Sequence, residues 1–354
     1  MSFFWGRLDM KTEFLLGAAL AVSLGGAAPA ATLSASEILS QFSIVTAGDL
    51  DTNQDNYGRA YVGGDLVASS GKADFANRDM PGSAYPDVIV EGDARGPGAI
   101  RIGSGGTTLA VRGDVSVDTV QFGVERTGEV LVGGTLSEGT RQNINNKETP
   151  TFDGVRVESG LQGDAGFEAL FPTDMVATLN KASEDLSALA ATGTATVSGG
   201  NTLKIDATSG GLNVYNFDIS DFGGAIGQID FSLGASDTLI LNVSGSSILF
   251  EDNLLGLQAS DGQRIIWNFY EATSVTLDRM VYGTVLAGNA ALTNSTAIEG
   301  NVFAASAVLR GQVHLQPFAG ELPSTDPAPV PLPATLPMLA AGLGLIGAMR
   351  RRRT

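Results

Sequence analysis

The sequence predicts a mainly β fold, a right-handed β-solenoid or β-helix with one long α-helix on its flank. Three observations predict it. A short unit recurs, an apolar residue followed by Gly, a small polar residue and another apolar residue. It is seen as Val62-Gly63-Gly64-Asp65-Leu66, Val90-Glu91-Gly92-Asp93-Ala94, Val111-Arg112-Gly113-Asp114-Val115 and Val132-Gly133-Gly134-Thr135-Leu136. Gly92, Gly113 and Gly134 stand 21 residues apart, and the step from Gly64 to Gly92 is 28, so some coils carry insertions. The unit returns late, as Tyr282-Gly283-Thr284-Val285, Ile298-Glu299-Gly300-Asn301-Val302 and Leu309-Arg310-Gly311-Gln312-Val313. Alternating Val, Ile and Leu would fill the bore, and Gly would turn corners where a Cβ clashes.

Each element follows in order. Lys11, the apolar run Phe14–Val22 and the small-residue end Ala28-Pro29-Ala30 read as a signal peptide over 1–30, with Met1 or Met10 as its start. Residues 31–320 read as one solenoid domain. Inside it, Phe167, Leu170, Phe171, Met175, Val176, Leu179, Ala182, Leu186 and Leu189 fall at steps of three and four. That spacing predicts a helix over about 166–192, with Pro172 in its first turn or at a kink. Strands follow at 196–198, 203–206, 212–217 and 239–243. A Pro-rich linker covers 321–329. The last segment, 330–354, joins Val330-Pro331-Leu332-Pro333-Ala334 to an apolar run, Leu336–Met349, and to Arg350, Arg351, Arg352 and Arg353. The run is a candidate membrane helix, short of the roughly 20 residues a span needs unless counted from Pro331. The arginines would hold its end at the cytoplasmic face.

Composition excludes much chemistry. There is no Cys and a single His, His314, which removes disulfides, thiol catalysis and multi-His or Cys-ligated metal centres. The formal net charge is −17; without the two end segments, 31–333 holds 15 basic and 36 acidic residues, net −21. Counterion release on nucleic acid needs a basic face, so nucleic acid is not an expected partner.

Two resemblances sharpen the reading. Val330–Ala334, the apolar run and the Arg cluster closely resemble the VPLPA variant of the PEP-CTERM sorting signals. That likeness implies export in a Gram-negative bacterium, processing by an exosortase-type membrane protease, and transient anchoring by the C-terminal segment. The body resembles the choice-of-anchor A family. The residues that carry it are Asp55–Asp65, Gly211–Asn216, Ile240–Gly245, Ile266–Phe269, Gly283–Ala287 and Gly300–Ala304. It implies a bacterial surface module, some of whose members are labelled collagen-binding, and it supplies no catalytic residues. In layout, a helix with a split solenoid also looks like bacterial ice-binding domains.

Several motifs invite a function. Asp49, Asp51, Asn53 and Asp55 alternate as in a calcium loop, but Gln54 and Ala60 break the EF-hand pattern, which leaves a structural Ca²⁺ or a solvated acidic loop. Arg112-Gly113-Asp114 spells an integrin tripeptide, although it occupies a repeat corner. Glu91/Asp93 and Glu184/Asp185 are carboxylate pairs without evidence of convergence. His314 reads as a hydrogen-bonded structural residue, and Trp267 as part of a buried strand or a sugar platform. The expectation is a non-enzymatic, exported surface or extracellular-matrix protein with no catalytic residues and no required cofactor. It would bind a polysaccharide or collagen-like polymer through a flat solenoid face. The alternatives are a secreted polysaccharide-active β-helix enzyme, or an ice-binding protein, against which stands the lack of a coil-spaced Thr ladder.

Overall fold

The computed structural model describes residues 32–123, 128–144, 155–208, 210–235, 237–320 and 322–323. Parallel strands coil around an apolar bore as the repeats require, and each turn contributes to three sides. Side a is a parallel sheet in the order Val155–Glu158, Gly128–Val132, Thr108–Val111, Val88–Val90, Arg59–Val62, Phe42–Thr46, Val302–Leu309, Thr284–Asn294, Ile265–Asn268, Thr238–Ser244, Leu212–Asp218. Side b runs from Ser247–Phe250 through Ser274–Leu277 and the second halves of Thr284–Asn294 and Val302–Leu309. It continues through Leu50–Thr52, Leu66–Val67, Ala94–Ile102 and Val115–Phe122. Side c is made of shorter sheets, among them Thr202–Ala207, Gln228–Leu233 and Asn253–Leu255, closed at its end by the antiparallel Thr196–Ser198.

The chain enters this stack in its middle. Phe42–Thr46 is inserted between Arg59–Val62 and Val302–Leu309, pairing Ile44 with Ala60 on one side and with Val302 on the other. From there the coils climb to one end, cross by helix, restart at the far end and return to the middle. The two halves therefore meet at a seam. At the seam, Ala47 N–H bonds Ala304 O, Ala307 N–H bonds Asp49 O, and Tyr57 N–H bonds Val313 O, each at 2.9 Å.

Two separate cores follow from the alternation of side chains. Inward residues such as Ile44, Val62, Val90, Val111, Leu241, Trp267 and Val285 fill the bore. Outward residues of side a, such as Tyr61, Ile89, Val214, Ile240, Ile266 and Phe303, form a second core under the helices. Burying each such aliphatic side chain contributes about 1.5–3 kcal/mol.

The helices that cover side a are α1 (Ala35–Gln41), α2 (Ala165–Glu168) and α3 (Met175–Ser187). Ser34 caps α1 in a reciprocal box with Glu37. The single helix expected over about 166–192 is thus two pieces, and the second ends five residues sooner. Pro172 has no N–H to donate and disfavours helical backbone at Phe171, and Asp174 stands in the left-handed region at φ 62° just before α3. The strands expected after it are present as Thr196–Ser198, Thr202–Ala207, Leu212–Asp218 and Thr238–Ser244.

The corners carry a ladder. Asp49 Oδ1 accepts Asp65 N–H, Asp65 Oδ1 accepts Asp93 N–H, and Asp93 Oδ1 accepts Asp114 N–H, each at 2.8 Å. The last rung, Asp114 Oδ1 to Thr135 N–H, is 2.7 Å. The rungs step by 16, 28, 21 and 21 residues, which is the irregular spacing of the glycines. Each extra residue leaves the coil as a loop without disturbing the corner.

Candidate functional site

With side a roofed by helices, the sheet surface open to a partner includes side b. On its strands every second residue points out. Register places Ser247, Ser274, Ala291 and Ser306 in one row, and Leu249, Thr276, Thr293 and Val308 in the next. Neighbours in a row lie one strand spacing apart, about 4.8 Å, and the rows about 6.6 Å apart. Leu249 is 51% exposed and Val308 38% exposed, large apolar side chains left on a surface. Thr293 Oγ1 donates to Thr276 Oγ1 at 3.3 Å, across 17 residues. The eight residues carry no charge, although the body as a whole is strongly acidic. Further along, the second row passes into Asp51, Val67, Arg95 and Ser116, where the surface becomes charged and ion-paired.

This array was hidden in the sequence. Ser274-Val275-Thr276-Leu277 and Ala291-Leu292-Thr293-Asn294 show the alternation, but unequal coil lengths conceal that they stack. The Thr ladder that the sequence does not display thus has two rungs, Thr276 and Thr293, in register.

The structure gives the other candidates definite positions. Asp49 belongs to the corner ladder; Asp51 pairs with Arg310 at 3.0 Å and accepts from Ser69. Asn53 donates to Ser70, and Asp55 accepts from Gln312 Nε2 at 3.3 Å. Among the described residues no group of three or more acidic or His side chains stands close enough to hold a metal ion, and each of these four residues has a partner elsewhere in the stack. Arg112 pairs with Glu91 at 2.6 Å and with Glu168 of α2, and its guanidinium lies 4.1 Å from the Phe171 ring centre. Asp114 is a ladder rung, held below the usual carboxylate range by the N–H and the hydroxyl of Thr135. The Arg-Gly-Asp tripeptide therefore fastens α2 to the solenoid and closes a corner.

Glu91 also accepts from Tyr61 and Asp93 is a rung, while Asp185 pairs with Lys181 on the lining of a groove between α1 and α3. His314 Nδ1 lies 2.5 Å from Glu299 Oε1 and Nε2 lies 2.8 Å from Gln312 Oε1, while the ring stacks on Tyr57. Trp267 is buried, and its indole N–H donates to Tyr282 O at 3.0 Å. The sorting residues Val330–Ala334 and Arg350–Arg353, the apolar run and residues 1–30 lie outside the described residues. Among the described residues no helix is long and apolar enough to cross a membrane.

The PEP-CTERM protein-sorting motif matches residues 329–353, which implies export and processing by an exosortase. No curated protein matches the chain. The crystal structure of an ice-binding protein from the Antarctic ascomycete Antarctomyces psychrotrophicus is 17% identical, covering 81% of this chain and 97% of that one, with a TM-score of 0.20. The fold of the present chain rests on its own strand pairings. For the body, the match is not to choice-of-anchor A; the weaker of the two likenesses, that of layout to ice-binding domains, is the one the family match favours. Over residues 35–315 the chain belongs to the family described as "Putative Ice-binding-like adhesive domain".

Proposed function

We propose that this protein is a non-enzymatic surface adhesin that meets an extended, uncharged partner through the outer rows of side b. The observation that carries the reading is the in-register array Ser247–Ser274–Ala291–Ser306 and Leu249–Thr276–Thr293–Val308. Methyl and hydroxyl groups at fixed spacing on a flat sheet match a partner with its own repeat, and many weak copies on one surface add up to avidity. The acidic remainder of the body repels polyanions and leaves this neutral patch as the place of contact. The sorting signal and the adhesive family support display at the cell surface. A Gram-negative outer surface or its matrix is the setting we propose, with an exopolysaccharide or a collagen-like polymer as partner.

The test is co-elution of the protein with exopolysaccharide of the producing bacterium, followed by size-exclusion chromatography with light scattering. Retention lost in the Leu249→Asp, Thr293→Asp double variant supports the reading. Undiminished retention in that variant defeats it, and falling polymer mass makes the protein an enzyme. A second reading, contact with ice, has the Thr276–Thr293 pair and the family description in its favour. Inhibition of ice recrystallisation that the same double variant abolishes would select it.

A further inference from the structure

We infer that the seam is a force-resisting joint, built so that a tethered molecule is pulled through a coil held on both flanks. In a continuous solenoid the last coil is the end of the stack, has one neighbour, and can be peeled away. Here the last coil sits in the middle. On side a, Val302 pairs with Val285 and with Ile44; on side b, Val308 pairs with Thr293 and with Asp51; on side c, Val313 pairs with Ile298 and with Asn56.

Side chains fasten the same joint. Arg310 pairs with Asp51, Gln312 Nε2 donates to Asp55, and the buried Asn301 Nδ2 donates to Leu39 O of α1 at 2.6 Å. Beyond the coil, Phe318 is buried with its N–H on Leu39 O, and Ala319 N–H bonds Gln263 O. Leu322 and Pro323 then line a groove with Ser34, Ala35 and Lys181 of the helical roof, and the chain leaves there toward the sorting motif. Load arriving from the tail must break both flanking strand interfaces together. By contrast, in the coil near the stack's end that contains Glu138, only the side-a strand Gly128–Val132 is held on both flanks; among the described residues Leu136 pairs with Val115 alone and Arg141–Ile144 with Thr119–Phe122 alone.

The inference rests on the reading of the chain as tethered and not on what side b touches, so it can fail while the binding reading stands. Because the chain has no native Cys, handles can be placed at will. In single-molecule force spectroscopy on the full chain, one handle sits on Ser274→Cys and the other either at the C-terminus or on Glu138→Cys. Pulling through the C-terminus is expected to end in one rupture at a higher force than that found through Glu138, because the last coil is held on both flanks on all three sides and the Glu138 coil on one side only. Pulling through Glu138 is expected to show several smaller steps. Equal or lower force through the C-terminus overturns the inference. Arg310→Ala is expected to lower the C-terminal rupture force alone; an equal fall along both axes also overturns it.

Discussion

Asn268 and Ser183 clasp each other across 85 residues: Asn268 Nδ2 donates to Ser183 O at 2.9 Å, and Ser183 Oγ donates back to Asn268 Oδ1 at 2.6 Å. The clasp begins a ladder. Asn268 also donates to Asn242 Oδ1, Asn242 donates to Asn216 Oδ1 and to Leu186 O, and Asn216 donates to Leu189 O. The carbonyls of Ser183 and Leu186 in α3 and of Leu189 just past it are three residues apart, which along a helix is a rise of about 4.5 Å, close to the strand spacing of about 4.8 Å. A helix laid along the stack therefore meets successive coils in phase, and that match lets one side-chain type serve at three coils in a row.

Asn268→Ala should be far more costly than Asn216→Ala. Asn268 is fully buried, and its loss strands Ser183 O, the Ser183 hydroxyl and Asn242 Oδ1 away from water. The expected loss is about 2–3 kcal/mol, against less than about 1 for the exposed Asn216, read as the shift in urea midpoint. Equal losses would show that the ladder is not what holds the roof.

Gly113→Ala tests the corner. A Cβ there would stand 2.1 Å from Asp93 Oδ1 and 2.7 Å from Gly92 O, so the rung and the backbone beneath it must both give. A loss of about 2–4 kcal/mol in thermal or urea unfolding is expected. Gly82→Ala, which has open space around it, is the control and should change stability by less than about 0.5 kcal/mol.

Asp74 predicts a stability that falls as pH rises. Burial pushes its carboxyl up to about 6; Asp55, bridged to it from the neighbouring coil, adds to the shift, and Arg101 and Lys72 oppose it. Asp74 Oδ1 has no hydrogen-bond partner. The folded state binds this proton more tightly than the unfolded chain. Its contribution is therefore complete below about pH 4 and lost as pH rises through about 6, on the order of 2–3 kcal/mol. The difference between wild type and Asp74→Asn in urea midpoint should change between about pH 4.5 and about pH 7.5 by that amount. A constant difference would show that Asp74 does not titrate in this window.

How much of this was legible in the sequence depended on range. The Gly-Asp corners were readable because a local unit repeats wherever a corner occurs, and Trp267 and His314 proved structural as their neighbours suggested. The split of the helix was half readable: Pro172 was visible, but nothing local marked Asp174 as left-handed. The seam and the side-b array depend on which coils become neighbours. Phe42–Thr46 pairs with Val302–Leu309 from the far end of the body, and no local period encodes that pairing. The partners of the acidic alternation at Asp49–Asp55, among them Arg310, Ser69, Ser70 and Gln312, were out of reach for the same reason, since they arrive from other coils.

The tail gives the last prediction. Arg350–Arg353 follow the apolar run of a segment that matches a sorting motif, and four cations cannot enter the hydrocarbon without a large cost. They should therefore stop the segment in the membrane long enough for an exosortase to act near Val330–Ala334. Replacing all four with Ser should let the precursor slip through, giving unprocessed protein in the medium and less at the cell surface. The measurement is the ratio of precursor to processed form by immunoblot, with surface yield by antibody labelling of whole cells. Near-native thermal unfolding of the released protein checks that the body folds normally in the variant. Unchanged processing and unchanged surface yield would mean that the protease reads the Pro-rich motif without the arrest.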